Sequence, residues 1–205
     1  MSFYNESEIG AVPPTPVVLG VGIVDDLRQC VTTDFKRAGD LVVLVGRTQN
    51  ELGGSEYLRA RGADGCPVPS VDPAGLRVAI DHLLEAIRAG TVAACHDLSH
   101  GGLAIAAAEM CLGGDVGADL RTDAMDPMRW DAQLFSESNG RWLVEVRRGK
   151  EEAFAHIMES VPTTELGLVG GRSLTVRGRG RRLSAGVAVM RKAWTEAIPR
   201  QVVVS

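Results

Sequence analysis

The stretch CHDLSHGGLAIAAAEM, residues 95–110, decides how this chain is read. Its first residues continue the apolar run TVAA (91–94), so TVAACHDLS (91–99) begins as a short buried strand. A polar turn and the pair Gly101–Gly102 follow. The run from Leu103 to Met110 is apolar nearly all round, as a central helix should be. Strand, glycine turn and helix in immediate succession are the unit of a layered α/β fold.

Working outward, the same logic recurs. DLVVLVGRT (40–48) is a continuous apolar run of strand length, and QNELGGSEYLRARG (49–62) gives a glycine turn and a short helix. DPAGLRVAIDHLLEAIRAG (72–90) carries an aspartate cap, a proline at the first helical position and a terminal glycine. GGDVGADLRTD (113–123) reads as a turn and an edge strand, and PMRWDAQLFSES (127–138) as a helix entering a loop. GRWLVEVRR (140–148) alternates apolar and polar residues like a half-exposed strand, and GKEEAFAHIMESV (149–161) is an amphipathic helix. The remainder gives strand, turn, strand and a terminal helix. Before all of this, VVLGVGIVDD (17–26) reads as a further apolar strand after an extended, proline-punctuated lead-in. The expected fold class is an α/β (α+β) layered sandwich, a mixed sheet with helices packed on it.

Composition narrows the function. Of 205 residues, 45% are hydrophobic and only 4% aromatic, so a core of Ala, Val, Leu and Ile is expected. The formal net charge of −4 argues against general nucleic-acid binding, and RGRGRR (177–182) reads as a solvated turn. No apolar run reaches the ~18 residues of a membrane span. The four cysteines form no C-x-x-C pair, which suits reduced thiols in a cytoplasmic protein.

Three polar islands are candidate sites. His96 and His100 have the i, i+4 spacing of helical zinc ligands. The glycine pair at 101–102 nevertheless leaves His96 on strand or turn, and no cysteine pair completes a metal site; no metal is assigned. The alternative is geometric: the turn His96, Asp97, Ser99, Gly101, Gly102 aims backbone N–H groups past the strand end toward a phosphate. A purely structural turn, with Ser99 capping the helix, explains the residues equally well. Gly53, Gly54 and Ser55 repeat this pattern after the strand at 40–48, with the same two readings. Glu137, Ser138 and Asn139, in LFSESNGRW (134–142), offer acceptors and donors to a sugar or an amide, or form an ordinary turn at Asn139–Gly140. No G-x-S-x-G elbow or Walker A loop occurs.

Taken together, SFYNE (2–6), PPTPVV (13–18), GDLVVLVGRTQNELGGSEYL (39–58), CHDLSHGGLAIAAAEM and LFSESNGRWLVEV (134–146) occur in the order and spacing of a known family. The chain resembles the large subunit of phosphoribosylformylglycinamidine synthase, in the aminoimidazole ribonucleotide synthetase superfamily. The likeness is to the C-terminal domain of that protein's second half. The resemblance implies that residues 1–24 close a preceding ATP-binding-type domain and that 25–205 form the C-terminal domain. It implies a reaction in which formylglycinamide ribonucleotide, ATP and glutamine give formylglycinamidine ribonucleotide, ADP, phosphate and glutamate. ATP and Mg²⁺ would be the cofactors; the substrate, the other synthase domains and a glutaminase that supplies ammonia would be the partners. Ser2 matches the family's substrate-binding serine, while the catalytic histidine lies in the family's first half, so no catalytic residue is expected here. Glu137, Ser138 and Asn139 stand where the first half carries its substrate loop. Other superfamily members (selenophosphate synthetase, thiamine-monophosphate kinase or hydrogenase maturation types) and a non-catalytic assembly domain are the alternatives.

Overall fold

A computed structural model describes residues 6–7, 10–11 and 17–202. Its elements in chain order are β1 (Glu6–Ser7), β2 (Gly10–Ala11), a single 3₁₀ turn (Leu27–Gln29), β3 (Leu41–Val45), α1 (Glu56–Arg61), α2 (Pro73–Arg88), β4 (Val92–Asp97) and α3 (Gly102–Gly114). There follow β5 (Ala118–Arg121), α4 (Trp130–Phe135), β6 (Trp142–Val146), α5 (Glu151–Ile157), β7 (Thr163–Val169), β8 (Ser173–Gly178), β9 (Arg181–Gly186) and α6 (Val187–Val202).

Apart from the two-residue ladder of β1 with β2, the strands form one sheet in the order β4-β6-β3-β7-β5-β8-β9. Its pairings are antiparallel except β5 with β8, so the sheet is mixed as expected. Side chains of a strand alternate between faces, and in the β4-β6-β3 part both faces are covered. Val42, Leu44, Leu143, Leu120 and Val176 pack on one side with Leu103, Ala107 and Met110 of α3 and Leu134 of α4. Val43, Val45, Val144 and Val146 pack on the other with Ala79 and Leu83 of α2 and Phe154 of α5. A strand buried on both faces must be apolar throughout, which is why LVVLV carries no alternation.

Asp72 caps α2 as the sequence indicates, its carboxylate accepting from Ala74 N at 3.2 Å and Gly75 N at 3.1 Å. RGRGRR is indeed a turn, the β8–β9 hairpin, where Arg179 and Gly180 have φ of +50° and +71°.

Three expectations need correction. β5 is not an edge strand: it lies between β7 and β8 and pairs with both. β6 is not half-exposed but sits between β4 and β3, with Leu143, Val144, Glu145 and Val146 all fully buried. Its misleading polar residue, Glu145, is inside because its carboxylate accepts from Lys36 N (2.7 Å) and Arg37 N (2.9 Å), backbone donors that need a partner there. Residues 17–24 form no strand; Val17, Val18, Leu19, Val21 and Ile23 are 86–93% exposed.

Candidate functional site

β3 and β4 run in the same direction, each antiparallel to β6 between them. The C-terminal ends of β3 and β4 therefore meet the N-terminal end of β6 at one end of the sheet, where Trp142 pairs with both Val45 and Asp97. The three polar islands, dispersed over residues 49–141, become neighbours for this topological reason alone.

The loop Ser136–Arg141 binds them together. Glu137 Oε1 accepts from Glu56 N at 2.9 Å, at the start of α1, and from Gly101 N at 2.8 Å, at the turn before α3. On either side of it, Ser136 Oγ accepts from Glu51 N (3.3 Å) and Ser138 Oγ from Gln49 N (3.0 Å). Asn139 Nδ2 donates to Ser70 O at 3.3 Å. The loop thus spends four consecutive polar side chains on backbone groups of the β3–α1 connection, the turn after β4 and the segment before α2. Unpaired, those groups would each cost ~1–3 kcal/mol on burial.

Arg141 anchors the loop from below. It is 2% exposed and donates from Nη1 to Thr48 Oγ1 (2.8 Å), from Nη2 to Ser136 O (2.6 Å) and from Nε to Ser138 O (2.9 Å). Burial pulls its guanidinium down to about 10, with the nearby Glu51 and Glu137 charges acting in the opposite direction. Glu51 is itself buried and accepts at Oε1 from Ser70 N (3.0 Å) and Ser70 Oγ (2.9 Å).

The predicted phosphate-facing residues divide by environment. Gly53 is buried; its N–H donates to Pro67 O at 2.7 Å, and a Cβ there would meet the Cys66–Pro67 backbone. Its role is a close chain crossing. Gly54 is exposed with φ of +72°, open to solvent. Ser55 caps α1, its Oγ accepting from Leu58 N at 3.3 Å. Gly101 and Gly102 are buried with φ of +76° and +60°, and a Cβ on Gly102 would lie 2.5 Å from Ser136 O. Only glycine fits that left-handed position beneath the loop. Ser99 does not cap α3, whose N-cap residue is Gly101 with no side-chain cap; Ser99 O accepts from Gly102 N at 3.1 Å instead. Asp97 and Ser99 are exposed at the strand end.

The two histidines diverge. His96 is nearly covered, with Nε2 3.2 Å from Glu109 Oε2 and Nδ1 2.6 Å from Asp97 O. His100 is exposed, with Nδ1 3.9 Å from Glu137 Oε2. Among the described residues no three His, Cys, Asp or Glu side chains are grouped to hold a metal ion. Burial raises the Cys95 and Cys111 thiols to about 12, so neither is a ready nucleophile. Ser2 lies outside the described residues.

Over this end of the sheet runs a groove of about 350 Å³ lined by Asp97, Ser99, His100, Glu137 and Asn139. It adjoins a cleft of about 380 Å³ lined by Arg47, Gln49, Ser70, Asp72 and Asn139. Exposed amide, hydroxyl and guanidinium groups here can orient a polar ligand; nothing in the groove forms a nucleophile–base pair. Sequence reasoning missed Thr48, Glu51, Ser136 and Arg141. Arg141 had no visible signal, since a cation before an apolar strand reads as surface.

The family model for the AIR synthase related protein, C-terminal domain, matches residues 37–178, and the chain belongs to that family. It is similar to the PurL subunit of phosphoribosylformylglycinamidine synthase from Moorella thermoacetica, with 39% identity over 203 residues, 97% of this chain and 27% of that protein. The same subunit from Anaeromyxobacter dehalogenans is 37% identical over 210 residues, again 97% and 27% of the two chains. The chain thus spans about a quarter of the length of these relatives. Among solved structures, T. maritima PurL complexed with FGAR superposes with a TM-score of 0.70 at 22% identity, over 80% of this chain and 30% of that one. The E. coli hydrogenase maturation protein HypE superposes at 0.56 and 18% identity, over 77% and 52%. At these identities the structural likeness concerns the fold. No helix among the described residues is long and apolar enough to cross a membrane.

Proposed function

We propose that this chain serves as the C-terminal domain of the second half of a phosphoribosylformylglycinamidine synthase. In the full protein the reaction would convert formylglycinamide ribonucleotide, ATP and glutamine to formylglycinamidine ribonucleotide, ADP, phosphate and glutamate in the cytoplasm. The observation that carries the reading is the union of the three polar islands at one sheet end, in a chain similar over 97% of its length to PurL subunits. Residues 1–24 would close a preceding domain. The exposed apolar run 17–24 supports this, since a strand-like segment with no ladder is suited to pairing outside the described fold. Gly54, Asp97, Ser99 and Asn139, exposed at the sheet end, are the residues of this chain best placed to face a ligand or that domain, with Ser2 as a further substrate contact.

The described residues do not themselves suit ATP–Mg²⁺. The Gly101 and Glu56 N–H groups that would meet a phosphate both donate to Glu137 instead. ATP and Mg²⁺ would be held by the rest of the assembly, and a glutaminase there would supply the ammonia. What this chain contributes is position: a rigid sheet end that orients polar groups toward the reacting domains. The purified 205-residue chain is expected to show no glutamine- or ammonia-dependent turnover, and to regain it only when the remaining synthase domains are supplied. Turnover by the chain alone would overturn the proposal.

A further inference from the structure

We infer that Glu137 is the resident anion of the seat formed by the β3–α1 and β4–α3 turns, and that it closes this seat to exogenous phosphate. The inference rests on the reading of those turns as anion-facing. Two backbone N–H groups 45 residues apart in sequence, Glu56 N and Gly101 N, converge on a single carboxylate oxygen at 2.9 and 2.8 Å. Donors from two separate turns on one acceptor make the arrangement that would otherwise grip a phosphate oxygen. Here the acceptor belongs to the chain.

The surroundings hold the carboxylate in place. Ser136 and Ser138 fasten the loop on both sides of Glu137, and Arg141 bonds the carbonyls of those same two serines. Its guanidinium is thereby committed to internal acceptors. The second oxygen, Oε2, faces the groove beside His100. A phosphate approaching the seat would meet this carboxylate, with the exposed Asp97 lining the same groove. Charge repulsion and occupied hydrogen bonds both act against it.

The test combines two readouts on the intact chain. In ¹⁵N-resolved NMR the amide resonances of Glu56 and Gly101 should shift together as one carboxyl group ionises, and Glu137→Gln, which keeps an acceptor oxygen but no charge, should abolish that shared titration. Inorganic phosphate, titrated into wild type and Glu137→Ala, should perturb the same two amides in the variant at a concentration at least tenfold lower than in wild type. Independent titration of the two amides would overturn the inference. Equal phosphate binding by both proteins would overturn it while leaving the turns as anion-facing. No binding by either protein, with the amides still titrating together, would overturn both the exclusion and the anion-facing reading on which it rests.

Discussion

Residues 17–24, VVLGVGIV, and residues 41–45, LVVLV, are two apolar runs that a sequence-based reading cannot tell apart. The second becomes β3, paired on both edges and covered on both faces, with Val42 and Val45 fully buried. The first has no ladder, and Val21 is 90% exposed. Apolar composition gives a segment the capacity to be a strand; a strand needs partners for its N–H and C=O groups as well as cover for its side chains. β3 finds β6 and β7 at its edges, α3 on one face and α2 on the other.

Several substitutions would sharpen or break that comparison. The largest effect is expected in β3 itself. Leu44→Asp places a charge in the core against α3, a change of several kcal/mol that should leave no cooperative unfolding transition in urea. Should Leu44→Asp unfold cooperatively near the wild-type midpoint, the two-sided burial of β3 would be wrong.

Next comes the sheet end that β3 feeds. Arg141→Met keeps the aliphatic volume but strips partners from Thr48 Oγ1, Ser136 O and Ser138 O, and should cost about 3 kcal/mol. Denaturant titration checks this, and a loss below ~0.5 kcal/mol would mean the loop is not held from beneath.

A smaller effect concerns pH. Burial, with the neighbouring Asp40 carboxylate acting in the same direction, raises Glu145 above its ordinary value of 4.5 against the lowering effect of the Arg37 and Lys36 N–H bonds. A carboxyl whose folded value is raised binds its proton more tightly in the native state. Its contribution is therefore fully present below about pH 4.5 and is lost as pH rises through the raised value. Asp40→Asn preserves the acceptor for Arg148 N while removing the charge, so the fall in stability across that window should become shallower. A slope unchanged in Asp40→Asn would remove Asp40 from the account.

The smallest effect belongs to the exposed run. Val21→Asp should alter unfolding stability by less than ~0.5 kcal/mol, because the side chain touches no core. It should instead reduce any concentration-dependent light scattering. A large loss of stability would show that 17–24 packs on the domain after all.

Much of the architecture was legible in the residues. The Asp72–Pro73 start of α2, the uninterrupted apolar β3 and the glycine turn into α3 all follow from local chemistry, because capping, proline geometry and hydrophobic periodicity act within a few residues. The candidate site was legible as three islands of polar, turn-forming residues. Tertiary structure alone decided that these islands meet, because parallel β3 and β4 flanking an antiparallel β6 bring residues about 90 positions apart to one sheet end. It also decided that Glu137 turns inward to two backbone donors, and that Arg141 and Glu145 are buried. A charged side chain enters a core only where unpaired groups from distant segments await it, and no local pattern records where those segments will be.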